Sequence, residues 1–190
     1  MLKMLDEYDL PAQIFTISLS CFGVVANSML LLAIKTRSTK AFRSYSTILI
    51  NCTTVDLVAS IAAALSVTRL VSLHATSTTF LIFTGFCSYA GRLPCWLSHV
   101  IANQMWTTSN YFLCFAFAHR FLSIRKRTIS QIEVLVISTS IHIMNFLTAI
   151  ALFLLFLDNY CTAEDVLAAR PNYRPIQLTN FEFGKYFLNN

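Results

Sequence analysis

Three polar side chains lie near the middle of long apolar stretches, where such groups are costly to place. Asp56 lies in "STILINCTTVDLVASIAAALSVT", Asn27 in "AQIFTISLSCFGVVANSMLLLAI", and Ser109 in a third stretch. A carboxyl at the centre of a membrane costs about 2.5–3.5 kcal/mol on insertion scales and usually faces a partner or a water-filled cavity. These residues are predicted to form one hydrogen-bonded polar core that acts as a switch or holds a small cation. The alternative is plain helix packing through a protonated carboxyl.

An arginine interrupts an aromatic run further along the chain. Arg120 lies within "NYFLCFAFAHRFLSIRKR", residues 110–127, and three more basic residues follow it closely. Anionic lipid of the inner leaflet attracts such a basic cluster. From the residues alone, Arg120 fits an interfacial anchor with a long stem as well as a functional group.

A polar and aromatic face precedes this arginine on the same stretch. His99, Asn103, Gln104 and Trp106 occupy its first half. The offsets place His99, Asn103 and Trp106 along one side of a helix. Such a face suits a small-molecule pocket, and an interhelical polar seam is the alternative.

Catalytic patterns are absent from the sequence. It has no paired-carboxylate motif, no Gly-rich phosphate loop, and four scattered histidines without metal-ligand spacing. His142 and Asn145, three residues apart, are predicted to be packing contacts. The sequence therefore predicts neither an enzyme nor a metal or cofactor site.

The composition is that of a membrane protein. Of 190 residues, 56% are hydrophobic and 12% are charged, whereas about 25% are charged in a typical soluble domain. The net charge of +5 comes from residues that punctuate apolar stretches and form no basic face. Membrane lipid is thus the predicted partner, and nucleic acid is not.

Four stretches are long and apolar enough to cross a bilayer, which takes about 20 residues per helix. Because every backbone group must be bonded within the segment in lipid, helix is the predicted structure. The fold class is therefore all-α, a multi-pass membrane helical bundle. A run at 80–91 is too short to cross and is predicted to be a packed loop or interfacial piece. The predicted transmembrane helices are residues 12–34, 46–68, 95–124 and 132–157.

Basic residues predict the orientation of these helices, because they concentrate in cytoplasmic connections. They cluster after the first and third stretches, so residues 1–11 and 158–190 are predicted to be extracellular. The clusters are Lys35, Arg37, Lys40 and Arg43 after the first stretch, and Arg125, Lys126 and Arg127 after the third.

Three of the six cysteines fall on the predicted outer side, where oxidation is allowed. A Cys95–Cys161 disulfide would hold the outer loop over the bundle. Cys87 is then left to compete for Cys161 or to pair elsewhere.

These features together resemble the first half of a rhodopsin-like seven-helix receptor. In that family, helix one carries a central Asn, helix two a central Asp, and helix three begins with a Cys and ends with an Arg. A Ser often precedes that Arg and pairs with the Asp, and a partner Cys follows helix four. Cys95 and Arg120 are 25 residues apart, as in the family, and Ser109 lies 11 residues before the Arg. The matching residues are Asn27, Asp56, Cys95, Ser109, Arg120 and Cys161.

More narrowly, "ANSMLLLAIKTRSTKAFRSYSTILINCTTVDL" and "GFCSYAGRLPCWLSH" resemble the nematode chemosensory receptors of serpentine receptor class delta. The likeness covers roughly residues 15–165. It implies a chemosensory receptor of the plasma membrane or cilium that binds a small molecule or peptide. Arg120 would then couple the receptor to a heterotrimeric G protein, and ligand would lie near the outer polar face.

The sequence departs from the receptor pattern in three ways, the first of which is that helix four lacks the tryptophan common in the wider family. Ala118 and His119 precede Arg120, so the acid that usually holds the arginine is missing. Helices five to seven are also missing, so this chain is expected to be truncated and not to signal alone. The alternatives are a four-helix scaffold of tetraspan type, whose Cys-Cys-Gly or Trp/Cys signatures are not found, and a small transporter suggested only by Asp56.

Overall fold

The computed structural model describes residues 3–37, 43–73, 78–83, 85–125, 129–158, 160–161 and 182–187. Four long helices dominate this part of the chain, which confirms the predicted helical fold class. They are α1 (Lys3–Arg37), α2 (Arg43–Leu65), α3 (Arg92–Ile124) and α4 (Gln131–Asp158).

Three of these helices are apolar and long enough to cross a membrane. The spans are Pro11–Thr36 of α1, Arg43–Leu65 of α2 and Gln131–Leu155 of α4. Helix α3 has 33 residues, about 50 Å at 1.5 Å per residue, but its first half carries several polar side chains. The third predicted crossing, 95–124, lies within α3 and stays a prediction.

The start of α4 is fixed by a reciprocal cap. The backbone N–H of Ser130 donates to Glu133 Oε2 at 2.8 Å, and the backbone N–H of Glu133 donates to Ser130 Oγ at 3.2 Å. This capping box satisfies two backbone donors that a helix start would otherwise leave unpaired. It therefore ends the preceding connection at Ser130.

The described chain divides into two compact units. The first comprises residues 1–20, 62–100 and 151–190, and the second residues 21–61 and 101–150. In the second unit, α2 contributes Ile48 and Val55 to a buried core with Phe112 of α3 and Val134 of α4. The seven-residue spacing in α2 puts both side chains on one helix face.

Many large apolar side chains outside this core are exposed. Phe22 and Met29 of α1 are 71% and 67% exposed, and Met144 of α4 is 66% exposed. In a multi-pass membrane protein, lipid covers such surfaces, so helix contacts rest on packing and hydrogen bonds.

The first unit contains a four-stranded antiparallel sheet in the order β1-β2-β4-β3. Part of the 80–91 run and part of the 158–190 tail are thus strands, where the sequence predicted loops. Their β-branched and aromatic residues favour extended backbone. The strands are β1 (Thr68–Leu73), β2 (Thr78–Phe83), β3 (Tyr160–Cys161) and β4 (Glu182–Phe187).

The disulfide of the first unit joins Cys87 to Cys95, so the predicted Cys95–Cys161 pairing is wrong. A 3-10 helix at Phe86–Tyr89 and a turn at Gly91, with φ of 99°, bring Cys87 back to the first turn of α3. Glycine adopts this left-handed conformation without a steric penalty. The Cα–Cα distance of 4.9 Å lies within the normal disulfide range. The nearer cysteine in sequence therefore takes the bond.

Candidate functional site

A cysteine thiol links two of the predicted polar-core residues. The Sγ atom of Cys52 donates to Asp56 Oδ2 at 3.9 Å and lies 3.8 Å from Ser109 Oγ. Cys52 and Asp56 are four residues apart on α2, so they share a helix face. Sulfur is a weak donor and acceptor. The structure therefore brings Asp56 and Ser109 to one thiol.

Asn27 has different surroundings. Its Nδ2 atom donates to the carbonyl of Gly23 at 2.9 Å, within α1. Gly23 faces α2 closely, because a Cβ added there would lie 2.7 Å from Ser60 Oγ. Among the residues that the structure describes, Asn27 makes no hydrogen bond to Asp56 or Ser109. Its membership of the polar core stays a prediction.

Arg120 lies against an aromatic ring of α2. Its guanidinium carbon is 4.7 Å from the centroid of the Tyr45 ring, which is within cation–π range. The same ring lies 5.9 Å from the ring of His119. The arginine, which lacks an acidic residue before it in sequence, thus has the face of Tyr45 as a partner.

A small cavity of about 140 Å³ connects this arginine to the polar core. Tyr45, Cys52 and Arg120 all line it. The thiol that touches Asp56 and the guanidinium therefore border the same space. Sequence reasoning missed both Tyr45 and Cys52. The four-residue spacing of Cys52 from Asp56 was a usable signal, whereas nothing local marks Tyr45.

The three predicted ligand residues differ in their surroundings. His99 belongs to the first unit, where its ring lies 5.7 Å from Phe83, edge to face. Phe83 also packs against Trp96 at 5.1 Å. In the second unit, Asn103 is half-buried and Trp106 is 54% exposed. Their role in ligand binding stays a prediction.

A cavity of the second unit, here called the α3–α4 cavity, has a volume of about 630 Å³. Its lining residues on α3 begin at Gln104, directly after Asn103 in sequence. Its wall on α4 includes Asn145, which the sequence assigned to packing. Neither Asn103 nor Trp106 is among its described lining residues. The polar lining residues are Gln104, Thr107, Tyr111, Ser140, Asn145 and Thr148.

Long apolar helices, a polar cluster between α2 and α3, and an arginine near the end of α3 together define a multi-pass helical membrane protein. Comparison with known families identifies its class further. The chain belongs to the family described as serpentine type 7TM GPCR chemoreceptor Srd, which matches residues 12–184. This is a family of chemoreceptors and not of enzymes, and it confirms the resemblance found in the sequence.

Curated relatives come from Caenorhabditis elegans. Serpentine receptor class delta-19 is 28% identical over 144 residues, which cover 73% of this chain and 41% of the relative. Serpentine receptor class delta-18 is 23% identical over 172 residues, covering 88% of this chain and 48% of the relative. The chain thus spans less than half the length of these relatives. No solved structure matches it.

Proposed function

We propose that this chain provides the first four helices of a G-protein-coupled chemosensory receptor. The family match over residues 12–184 carries the proposal, and it favours a receptor over a tetraspan scaffold. The curated relatives are about twice as long as this chain. The proposed signalling activity is therefore that of a receptor as long as these relatives, with this chain as its first part. Four helices alone are expected not to signal.

Two independent features support an orientation with the N-terminus outside. The Cys87–Cys95 disulfide at the start of α3 requires an oxidising compartment. Lys35 near the end of α1 and Arg125 just after α3 favour the cytoplasmic side. Both features support an orientation with the Cys95 end of α3 outside and the Arg120 end inside. The proposed location is the plasma membrane or cilium.

Ligand binding is proposed at the outer part of α3, through His99, Asn103 and Trp106. Binding there would bias a two-state bundle only if the ligand favoured one state over the other. Asp56, Ser109 and Asn27 are proposed as the polar switch. The contact of Asp56 and Ser109 with one thiol supports a role for this cluster in helix rearrangement, because weak sulfur contacts exchange at little cost.

Arg120 is proposed to contact the G protein. Its side chain is exposed and lies over the Tyr45 ring. A cation–π contact at an exposed site is worth only about 0.5–1 kcal/mol. A G protein that offers a better partner can therefore draw the guanidinium away from the ring.

Glycosylation mapping tests the orientation. An acceptor site fused before Met1 should be glycosylated, and one inserted between α1 and α2 should not. The opposite pattern would contradict the receptor interpretation, because the Arg120 end of α3 would then face the outside.

Photo-crosslinking tests the coupling. A chimera would carry this chain followed by the C-terminal half of serpentine receptor class delta-18. A crosslinking amino acid at Ile124, which is 81% exposed at the end of α3, should capture a co-expressed Gα subunit. The same amino acid at Ile14, which is exposed on α1, is the control. Equal capture at both positions would contradict the proposal.

A further inference from the structure

The α3–α4 cavity has the size and lining of a small-molecule site. Its volume of about 630 Å³ lies within the range of about 300–1,000 Å³ typical of ligand pockets. Aliphatic and methionine side chains of α4 form much of its wall, with polar groups between them. No Asp, Glu, Lys or Arg is among the described lining residues, so the cavity suits a neutral molecule.

Four polar side chains on its walls each donate a hydrogen to the backbone of their own helix. Thr107, Ser140 and Thr148 each donate a hydroxyl hydrogen to the carbonyl four residues earlier, at 3.0, 2.9 and 2.7 Å. Asn145 Nδ2 likewise donates to the carbonyl four residues earlier, at 3.0 Å. A hydroxyl that has donated its hydrogen can only accept a further bond. The three hydroxyls therefore offer acceptors to a molecule in the cavity, and Asn145 offers its Oδ1 atom as an acceptor beside one remaining amide N–H.

Gln104 adds a buried acceptor without a partner. Its side chain lines the cavity and is only 5% exposed, and Oε1 has no hydrogen-bond partner among the described residues. Buried polar atoms in native proteins are nearly always hydrogen-bonded, so each exception calls for an explanation. The terminal torsion of a glutamine is broad, so a turn of the amide can direct Oε1 to a bound molecule.

We propose that the α3–α4 cavity binds a neutral, mostly apolar small molecule that donates a hydrogen bond from an N–H or O–H group to Gln104 Oε1. The hydroxyl and amide oxygens of α4 serve the same molecule as further acceptors. This site lies on α3 and α4 of the second unit and does not depend on G-protein coupling. A binding measurement without any signalling readout therefore tests it separately from the proposed function.

Indole and benzofuran form a suitable probe pair. The two bicyclic molecules have nearly the same size and apolar surface, but only indole carries an N–H donor. Binding of each would be measured by saturation-transfer NMR on the 190-residue chain in lipid nanodiscs. One added hydrogen bond to a buried acceptor should make indole bind about threefold to tenfold more tightly. Equal binding of the two probes to the unmodified chain would overturn the proposal without any variant.

Two glutamine variants locate the interaction. Gln104→Met keeps the length and bulk of the side chain but removes the acceptor. Indole and benzofuran should then bind this variant with about equal affinity, and benzofuran should bind as tightly as it binds the unmodified chain. Gln13→Met, on α1 and outside the described lining residues, is the matched control and should keep the preference. A preference that survives in Gln104→Met would overturn the proposal.

A blocked cavity and a longer chain complete the test. Ser140→Phe should occupy part of the space and weaken binding of both probes, whereas unchanged binding would place them elsewhere in the protein or lipid. In the chimera with the C-terminal half of serpentine receptor class delta-18, indole preference should persist. Its loss there would show that another helix occupies the cavity and would refute a ligand role.

Discussion

The contact between Arg120 and Tyr45 predicts a measurable coupling between α3 and α2. The guanidinium carbon lies 4.7 Å from the ring centroid, and the arginine is exposed. A contact of this kind at an exposed site is worth about 0.5–1 kcal/mol. Tyr45 also packs near His119 at 5.9 Å. The single variant Tyr45→Leu should therefore lose more than about 0.5–1 kcal/mol of unfolding free energy.

A double-mutant cycle separates the two losses. Tyr45→Leu, Arg120→Met and the double variant would be compared by titrating SDS into mixed micelles and following helix content by circular dichroism. The coupling free energy between Tyr45 and Arg120 should be about 0.5–1 kcal/mol. The loss of the His119 contact does not contribute, because it occurs in Tyr45→Leu whether or not Arg120 is present and cancels in the cycle. Tyr45→Phe is the control, since it keeps the ring and should keep the coupling.

A coupling energy below about 0.2 kcal/mol would refute the cation–π interpretation. A coupling lost in Tyr45→Phe would refute it as well, because the phenol oxygen and not the ring face would then hold the arginine. Arg120→Lys adds a graded check. Lysine keeps the charge but lacks the planar guanidinium that stacks on an aromatic face, so an intermediate coupling is expected.

Three further predictions concern stability. Cys87→Ser should lower the unfolding free energy by about 2–3 kcal/mol, the value expected for a disulfide that closes a short loop. Cys161→Ser should leave the disulfide-linked Cys87–Cys95 peptide intact, as measured by mass spectrometry of a non-reducing digest. Gly85→Ala should destabilise by about 1–3 kcal/mol in a thermal-shift assay, since a Cβ at Gly85 would overlap the backbone where α2 ends, and an unchanged midpoint would contradict this close approach. Ser130→Ala should cost about 1 kcal/mol in SDS titration through loss of the helix cap, while Thr139→Ala, on an exposed part of α4, should cost less.

The helices were predictable because their cause is local. A long apolar stretch in lipid must satisfy its backbone internally, so composition alone predicts helix. The predicted stretches 12–34, 46–68, 95–124 and 132–157 fall on α1 to α4, apart from residues 66–68, which follow the end of α2 at Leu65. Helix α1 extends well before its apolar part, back to Lys3. Hydropathy does not report such polar extensions.

The sheet and the disulfide were not predictable in the same way, because both depend on non-local pairing. Strand β2 pairs with β4, more than 90 residues later, as in the register of Phe80 with Lys185. No local pattern specifies such a partner. The predicted Cys95–Cys161 pairing came from the positions of these cysteines on the outer side and agreed with the receptor resemblance. In the structure, Cys95 instead forms its disulfide with Cys87, because a turn at Gly91 brings the two residues together.

The candidate site residues differ in the same way in how far the sequence could predict them. Asp56, Ser109 and Arg120 were identifiable because polar groups are rare and costly in apolar helices. Their partners Cys52 and Tyr45 were harder to identify, because a thiol and an aromatic ring cost little in lipid. Only the four-residue spacing of Cys52 from Asp56 offered a signal. The structure supplies these partners, and with them a physical account of how an arginine without a neighbouring acid is held. An aromatic ring gives a weaker hold than a carboxylate, since it exerts no full charge. If the chain acts as the proposed receptor, we therefore expect its resting state to release Arg120 more readily than that of a receptor in which an acid precedes the arginine.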